Sequence, residues 1–125
     1  MQLNHTIVSS RDPQASAAFL TGILGLPPAT RSGKFTVVEA DNEVFLDFAK
    51  AGGDIAAQHY AFLADDDDFD AALGRIKAQG VAYWADPGRT QPGTIRDCDG
   101  GRGVYFEDPD GHLLEILTEP YGSLD

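Results

Sequence analysis

Four side chains able to hold a metal ion stand in strand-like stretches: His5 within residues 3–10, Asp47 within 43–49, His59 within 58–64 and Glu115 within 113–117. Neutral imidazole and carboxylate suit divalent first-row metals, and three or four such ligands leave positions open for water or for substrate oxygens. No short spacing motif joins the four; parity does. Each shares its strand face, at two-residue steps, with apolar side chains: Leu3 and Ile7 beside His5, Phe45 and Ala49 beside Asp47, Ala61 and Leu63 beside His59, Leu113 and Leu117 beside Glu115. A few convergent polar groups in an apolar setting are the usual build of a small-molecule site. Plainer readings stand beside this one. A single strand histidine is more often a hydrogen-bonded core residue than a ligand, Asp47 also fits an edge-strand charge, and Glu115 also fits an ion pair with Arg96 or Arg102. Whatever its partner, a carboxylate in so apolar a strand needs one, because a buried charge is costly unless paired, hydrogen-bonded or metal-bound.

The elements that must carry these residues follow from turn and cap chemistry. Asp108-Pro-Asp-Gly111 joins two apolar runs, with Pro109 preset for a turn and Gly111 tolerant of positive φ, so residues 103–118 read as a hairpin. Upstream, Asp12 caps and Pro13 opens a helix whose stripe of Ala15, Phe19, Leu20 and Ile23 ends at Gly25. Residues 35–39 and 43–49 read as strands around an Asp41-Asn42 turn. The pattern then restarts: a strand at 58–64, caps in Asp65 to Asp68, and a helical stripe of Phe69, Ala72, Leu73 and Ile76 ending at Gly80. The stretch from His5 to Gly25 nearly matches in length that from His59 to Gly80, which points to an internal repeat. A short strand around residues 82–84 and a turn-rich loop over 86–101 precede the hairpin. The expected architecture is therefore α+β: one domain of two βαβββ modules, about residues 1–54 and 55–125, whose strands form a concave, mostly antiparallel sheet with helices on its outer face.

Composition narrows the function. The formal charge of −11 disfavours nucleic acid and anionic membrane as partners. No apolar run reaches the ~18 residues of a membrane span, the N-terminus lacks the pattern of a signal peptide, and a lone Cys98 excludes an internal disulfide; the expected location is the cytoplasm. Cys98 lies between two aspartates, which disfavours a thiolate nucleophile. Asp65 to Asp68 lacks the spacing of a calcium loop and reads as a solvated cap. Gly100 to Gly103 lacks the Lys-Ser/Thr of a phosphate loop. His112, beside the turn, is expected in solvent or capping that turn, and not among the ligands.

Leu3-Asn-His-Thr-Ile-Val8 entering a helix, Phe19-Leu20 before Leu24-Gly-Leu26, His59-Tyr-Ala-Phe62, and Tyr105-Phe-Glu-Asp-Pro-Asp-Gly-His-Leu-Leu-Glu115 together resemble the vicinal oxygen chelate superfamily over nearly the whole chain. That superfamily includes glyoxalase I, fosfomycin-modifying enzymes, extradiol dioxygenases and bleomycin-binding resistance proteins. The resemblance implies that His5, His59 and Glu115 bind a metal, with Asp47 standing where glyoxalase I has a glutamate ligand. It also implies paired βαβββ units and a homodimer with sites within one chain or shared. Cationic contacts for a phosphonate or for glutathione are not recognisable, and the inner face is otherwise apolar, so a neutral or aromatic small molecule fits best. The leading expectation is a glyoxalase- or dioxygenase-type enzyme using a divalent ion (iron, manganese, nickel, cobalt or zinc) as a Lewis acid or redox centre, with Glu115 and Tyr105 as catalytic groups. The alternative is a metal-free protein that sequesters a cationic or aromatic antibiotic by stacking on Tyr83, Trp84 and Tyr105.

Overall fold

The computed structural model describes residues 1–120. In chain order the elements are β1 (His5–Ser10), α1 (Pro13–Leu24), β2 (Thr30–Ser32), β3 (Phe35–Glu39), β4 (Phe45–Lys50), β5 (His59–Leu63), α2 (Asp66–Ala78), β6 (Tyr83–Trp84), β7 (Arg96–Cys98), β8 (Gly101–Glu107) and β9 (Leu113–Leu117). They divide into two compact units, residues 1–56 and residue 57 onward. The first unit has the strand order β1-β4-β3-β2 and the second β5-β9-β8-β6, with β7 also paired to β8. In each unit the first strand runs parallel to the last, and the last runs antiparallel to the strand before it. The fold is thus α+β, built from two βαβββ modules. Among the described residues no helix is long and apolar enough to cross a membrane.

In the first unit α1 packs against β1, β3 and β4. Asp12 accepts a hydrogen bond from the Ala15 N–H at 3.1 Å, and Gly25 closes the helix at φ 71°. The buried helix face is Ser16, Ala17, Leu20 and Ile23, set with Val8, Val38, Leu46 and Phe48 in the core. This corrects the expected stripe: Ala15 is exposed and Phe19 only half-buried, because Ser16 turns inward to bond the Ser10 hydroxyl at 2.7 Å. A polar pair satisfied within itself can sit in a core. β2, which the sequence did not announce, is three exposed residues paired to β3.

In the second unit Asp65 caps α2 by accepting from the Asp68 N–H at 2.8 Å. Asp66 and Asp70 do more than sit in solvent. They hold Arg102 of β8 at 2.9 and 2.6 Å, with its guanidinium 4.5 Å from the centre of the Phe69 ring. Arg102 alternates in phase with the buried Val104 and Phe106, so it serves the helix-covered face and not Glu115. The loop read over 86–101 contains β7 and is braced by Asp86, whose carboxylate accepts from the Thr90 hydroxyl and the Thr90 and Gln91 N–H groups. Those bonds, the Thr90 hydroxyl first, outweigh desolvation and hold its carboxyl below the usual range.

The hairpin turn works as its residues require. The Asp108 carboxylate accepts from the Asp110 and His112 N–H groups, each at 2.9 Å, and Gly111 takes φ 85°. His112, however, is not in solvent: it is 1% exposed. Its Nδ1 accepts from the Gln58 N–H at 3.0 Å, and its ring meets Tyr60 edge-on at 5.9 Å. Since the Leu113 N–H also donates to the Gln58 carbonyl at 2.8 Å, His112 pins the start of β5 to the start of β9. His112→Ala should cost about 2–4 kcal/mol through the cavity and the lost bond. His112→Asn, which keeps an acceptor near Nδ1, should recover part of this; urea unfolding with an unchanged m-value would measure both.

Candidate metal centre

The parallel register of β5 and β9 sets His59 beside Leu113 and Ala61 beside Glu115, so His59 and Glu115 project from the same face. His59 Nδ1 lies 3.1 Å from the Leu113 carbonyl oxygen, which only accepts, so Nδ1 carries the proton. In the neutral ring Nε2 is then a lone pair, and it faces Glu115 Oε1 at 3.2 Å. A carboxylate oxygen is also only an acceptor. Two acceptors pointing at each other repel unless something positive lies between them, either a proton that makes the imidazolium or a bound cation. A histidine that donates one ring N–H to a carbonyl and offers the other nitrogen beside a carboxylate has the usual arrangement of a metal ligand. The donor set therefore fits a divalent ion. The His59 side chain is 47% exposed and that of Glu115 only 10%, so the face is open at the imidazole and closed around the carboxylate.

Tyr105, opposite Glu115 in the β8–β9 register, completes this half-site. Its ring stacks on His59 with centroids 6.1 Å apart. Its hydroxyl donates to the Glu115 carboxylate, and burial, the Glu115 charge and that bond push its pKa up to about 12, against a small opposing pull from Arg96. Tyr105 is thus a proton holder at neutral pH, not a base. Glu115 is answered by an imidazole and a phenol; among the described residues no ion pair joins it to Arg96 or Arg102, and Arg102 is committed to α2.

His5 and Asp47 occupy the corresponding face of the first unit. The β1–β4 register puts His5 beside Phe45 and Ile7 beside Asp47, away from the face that α1 covers. His5 Nδ1 donates to the Asn4 side-chain oxygen at 2.8 Å, which again leaves Nε2 as the available lone pair. The structure thus brings His59 and Glu115 together with Tyr105 and sets His5 and Asp47 on one face. Among the described residues no group of three or more His, Cys, Asp or Glu side chains is close enough to hold a metal. The orienting groups, Asn4 and the Leu113 carbonyl, were not foreseen; for Asn4 the available signal was an amide directly preceding a strand histidine.

Two mirrored βαβββ units, each offering an oriented imidazole on its first strand, define a family. This chain belongs to the Glyoxalase/Bleomycin resistance protein/Dioxygenase superfamily, whose family model matches residues 2–116. Among solved structures it is similar to Oxidase ChaP-H2, with 56% identity and a TM-score of 0.95 over 100% of this chain and 98% of that one. It is similar to Oxidase ChaP-H1 with 55% identity and a TM-score of 0.95, over 98% of this chain and 99% of that one. It is also 31% identical to the Glutathione transferase FosA of Serratia marcescens, over 91% of this chain and 78% of that protein.

The Tyr105 environment gives a pH prediction for metal-free protein. With a folded-state value of about 12 against the usual 10.0, the unfolded chain ionises first, so this group withdraws stability as pH rises from 10 towards 12 and has no effect below 10. Ultraviolet difference titration of wild type against Tyr105→Phe should accordingly show no Tyr105 phenolate at pH 10, and the substitution should flatten the alkaline loss of stability.

Proposed function

We propose that the protein is a divalent-metal-dependent enzyme of oxidase or dioxygenase type that takes a small molecule through its oxygen atoms. The observation that carries this reading is the His59–Glu115 pair, two oriented acceptors 3.2 Å apart whose repulsion a cation would relieve. The similarity to two oxidases that share more than half of this sequence favours that branch of the superfamily. An ion of the iron, manganese, nickel, cobalt or zinc class would be held by His59 and Glu115, with His5 and Asp47 as candidates for further positions. Bound there, it would supply a Lewis acid for substrate oxygens, or redox chemistry if it is iron.

The chain's own groups have separable tasks. The Leu113 carbonyl fixes the His59 tautomer and Asn4 fixes that of His5. Tyr105 orients the Glu115 carboxylate and keeps a proton on its phenolic oxygen, ready to hydrogen-bond a substrate oxygen. Ala61, Leu63, Leu113 and Leu117 make the same face apolar, which suits an aromatic body and limits water. The candidate faces of both units carry large exposed apolar side chains, Leu3 at 69%, Ile7 at 57% and Leu63 at 61%. Covering them by a second copy favours a homodimer. The exposed free thiol of Cys98 accords with a cytoplasmic setting.

Protein purified without an affinity tag and reconstituted should hold stoichiometric metal, and His59→Ala should lose it. No stoichiometric metal and no effect of His59→Ala would remove the enzyme reading and leave metal-free ligand sequestration. Mixing His5→Ala with Glu115→Ala chains locates the ligands. If each site lies within one chain, every site in the heterodimer keeps a lesion and metal binding stays lost; if sites are shared between copies, one site collects both lesions and the other recovers.

A further inference from the structure

Arg96 is placed unlike Arg89 and Arg102, the other arginines that pair with or reach the residues of β8. It pairs in register with Gly103, which in turn lies opposite Leu117, two residues from both Tyr105 and the β9 position of Glu115. A β-carbon added at Gly103 would lie 2.8 Å from Arg96 Nη2, 3.2 Å from Nε and 3.3 Å from Cζ. The guanidinium therefore lies flat across the glycine, on the face that carries Tyr105 and Glu115. Gly103 is not among the residues of positive φ, so its backbone does not demand glycine; the space above it does. Arg89 and Arg102 each have a carboxylate partner within 3 Å, whereas among the described residues no ion pair involves Arg96, in a chain with 20 acidic side chains. A half-buried guanidinium laid into a site and left without a carboxylate presents a planar fork suited to two oxygens of one anion.

We propose that Arg96 is the specificity-determining residue of this site and that it receives a carboxylate of the substrate, with Gly103 providing the space in which the guanidinium lies. This rests on reading the Tyr105–Glu115 face as the substrate site, and it makes the ligand an aromatic acid where the sequence suggested a neutral or aromatic one. The apolar side chains take the ring, His59 and Glu115 address the oxygens to be activated, and Arg96 reads the acid. The negative charge of Glu115 opposes an anion nearby, so the guanidinium is what makes binding of an acid favourable here.

Trp84 is the chain's one tryptophan and lies opposite Tyr105 in the β6–β8 register, so its fluorescence reports occupancy. The test compares benzoate with benzyl alcohol, two probes that differ in the carboxylate, on metal-loaded and on chelator-treated protein. Wild type should favour benzoate by about tenfold, the size expected of a charge-assisted pair. Arg96→Met should abolish that preference while leaving benzyl alcohol binding and metal content unchanged. Gly103→Ala should do the same with the arginine still present, and Arg96→Lys should retain part of it. A merely structural role for Arg96 would weaken both probes alike. Benzoate preference missing from wild type in both forms, or undiminished in Arg96→Met, overturns the proposal. Failure of the metal reading shows separately, as absent metal with the benzoate preference intact.

Discussion

The second unit is arranged around the cost of removing the Glu115 carboxylate from water. Left alone in an apolar strand that charge would be prohibitive. The hydroxyl of Tyr105 answers part of it from the antiparallel neighbour β8, and His59 faces it from the parallel neighbour β5. Both contacts demand that β9 lie centrally, with one strand on each side, and the sheet order provides that placement. The Asp108 turn delivers β9 to β8 in the right register, and His112 delivers β5 to β9. A hydrogen-bonded turn and a buried imidazole that holds no candidate ligand position are thus conditions for the geometry at the carboxylate.

The opposite face supports the same arrangement by different means. Arg102 is drawn to two aspartates of α2 and to the Phe69 ring, which ties the helix to β8. Two arginines close together in sequence, Arg96 and Arg102, therefore go to opposite sides of one sheet. Strand parity decides it: Arg102 is in phase with Val104 and Phe106, while Arg96 registers with Gly103 and so shares the side of Tyr105.

Much of this was legible in the residues themselves. Caps at Asp12 and Asp65, the Asp-Pro-Asp-Gly turn and the alternation around His59 and Glu115 are local rules that tertiary structure did not override. What escaped had no local signal or a misleading one. β2 is three exposed residues without apolar alternation, and β7 is a polar stretch inside a turn-rich loop. His112 follows a turn and reads as solvated; only the distant backbone of Gln58 and the Tyr60 ring explain its burial. Ser16 interrupts an apolar stripe and looks like a surface residue until Ser10 is found beneath it. Only for His112 is the deciding partner remote in sequence; β2, β7 and Ser16 pair with near neighbours, but through polar or exposed residues that carry no apolar pattern to announce the pairing.

The parallel pairing of first and last strands has a kinetic side. Within each unit it joins the most widely separated strands: β1 meets β4 only after α1 and two strands intervene, and β5 meets β9 after α2 and three. Closing so long a loop costs conformational entropy before any contact rewards it, and topologies rich in such pairings fold slowly. The β8–β9 hairpin, by contrast, is local. A folding chain can therefore bring Tyr105 to Glu115 early, but His59, 56 residues from Glu115, joins them only when the long-range parallel ladder zips shut. The imidazole–carboxylate pair is a late-forming feature of the unit, and a partly folded chain that already shows the hairpin would still lack it.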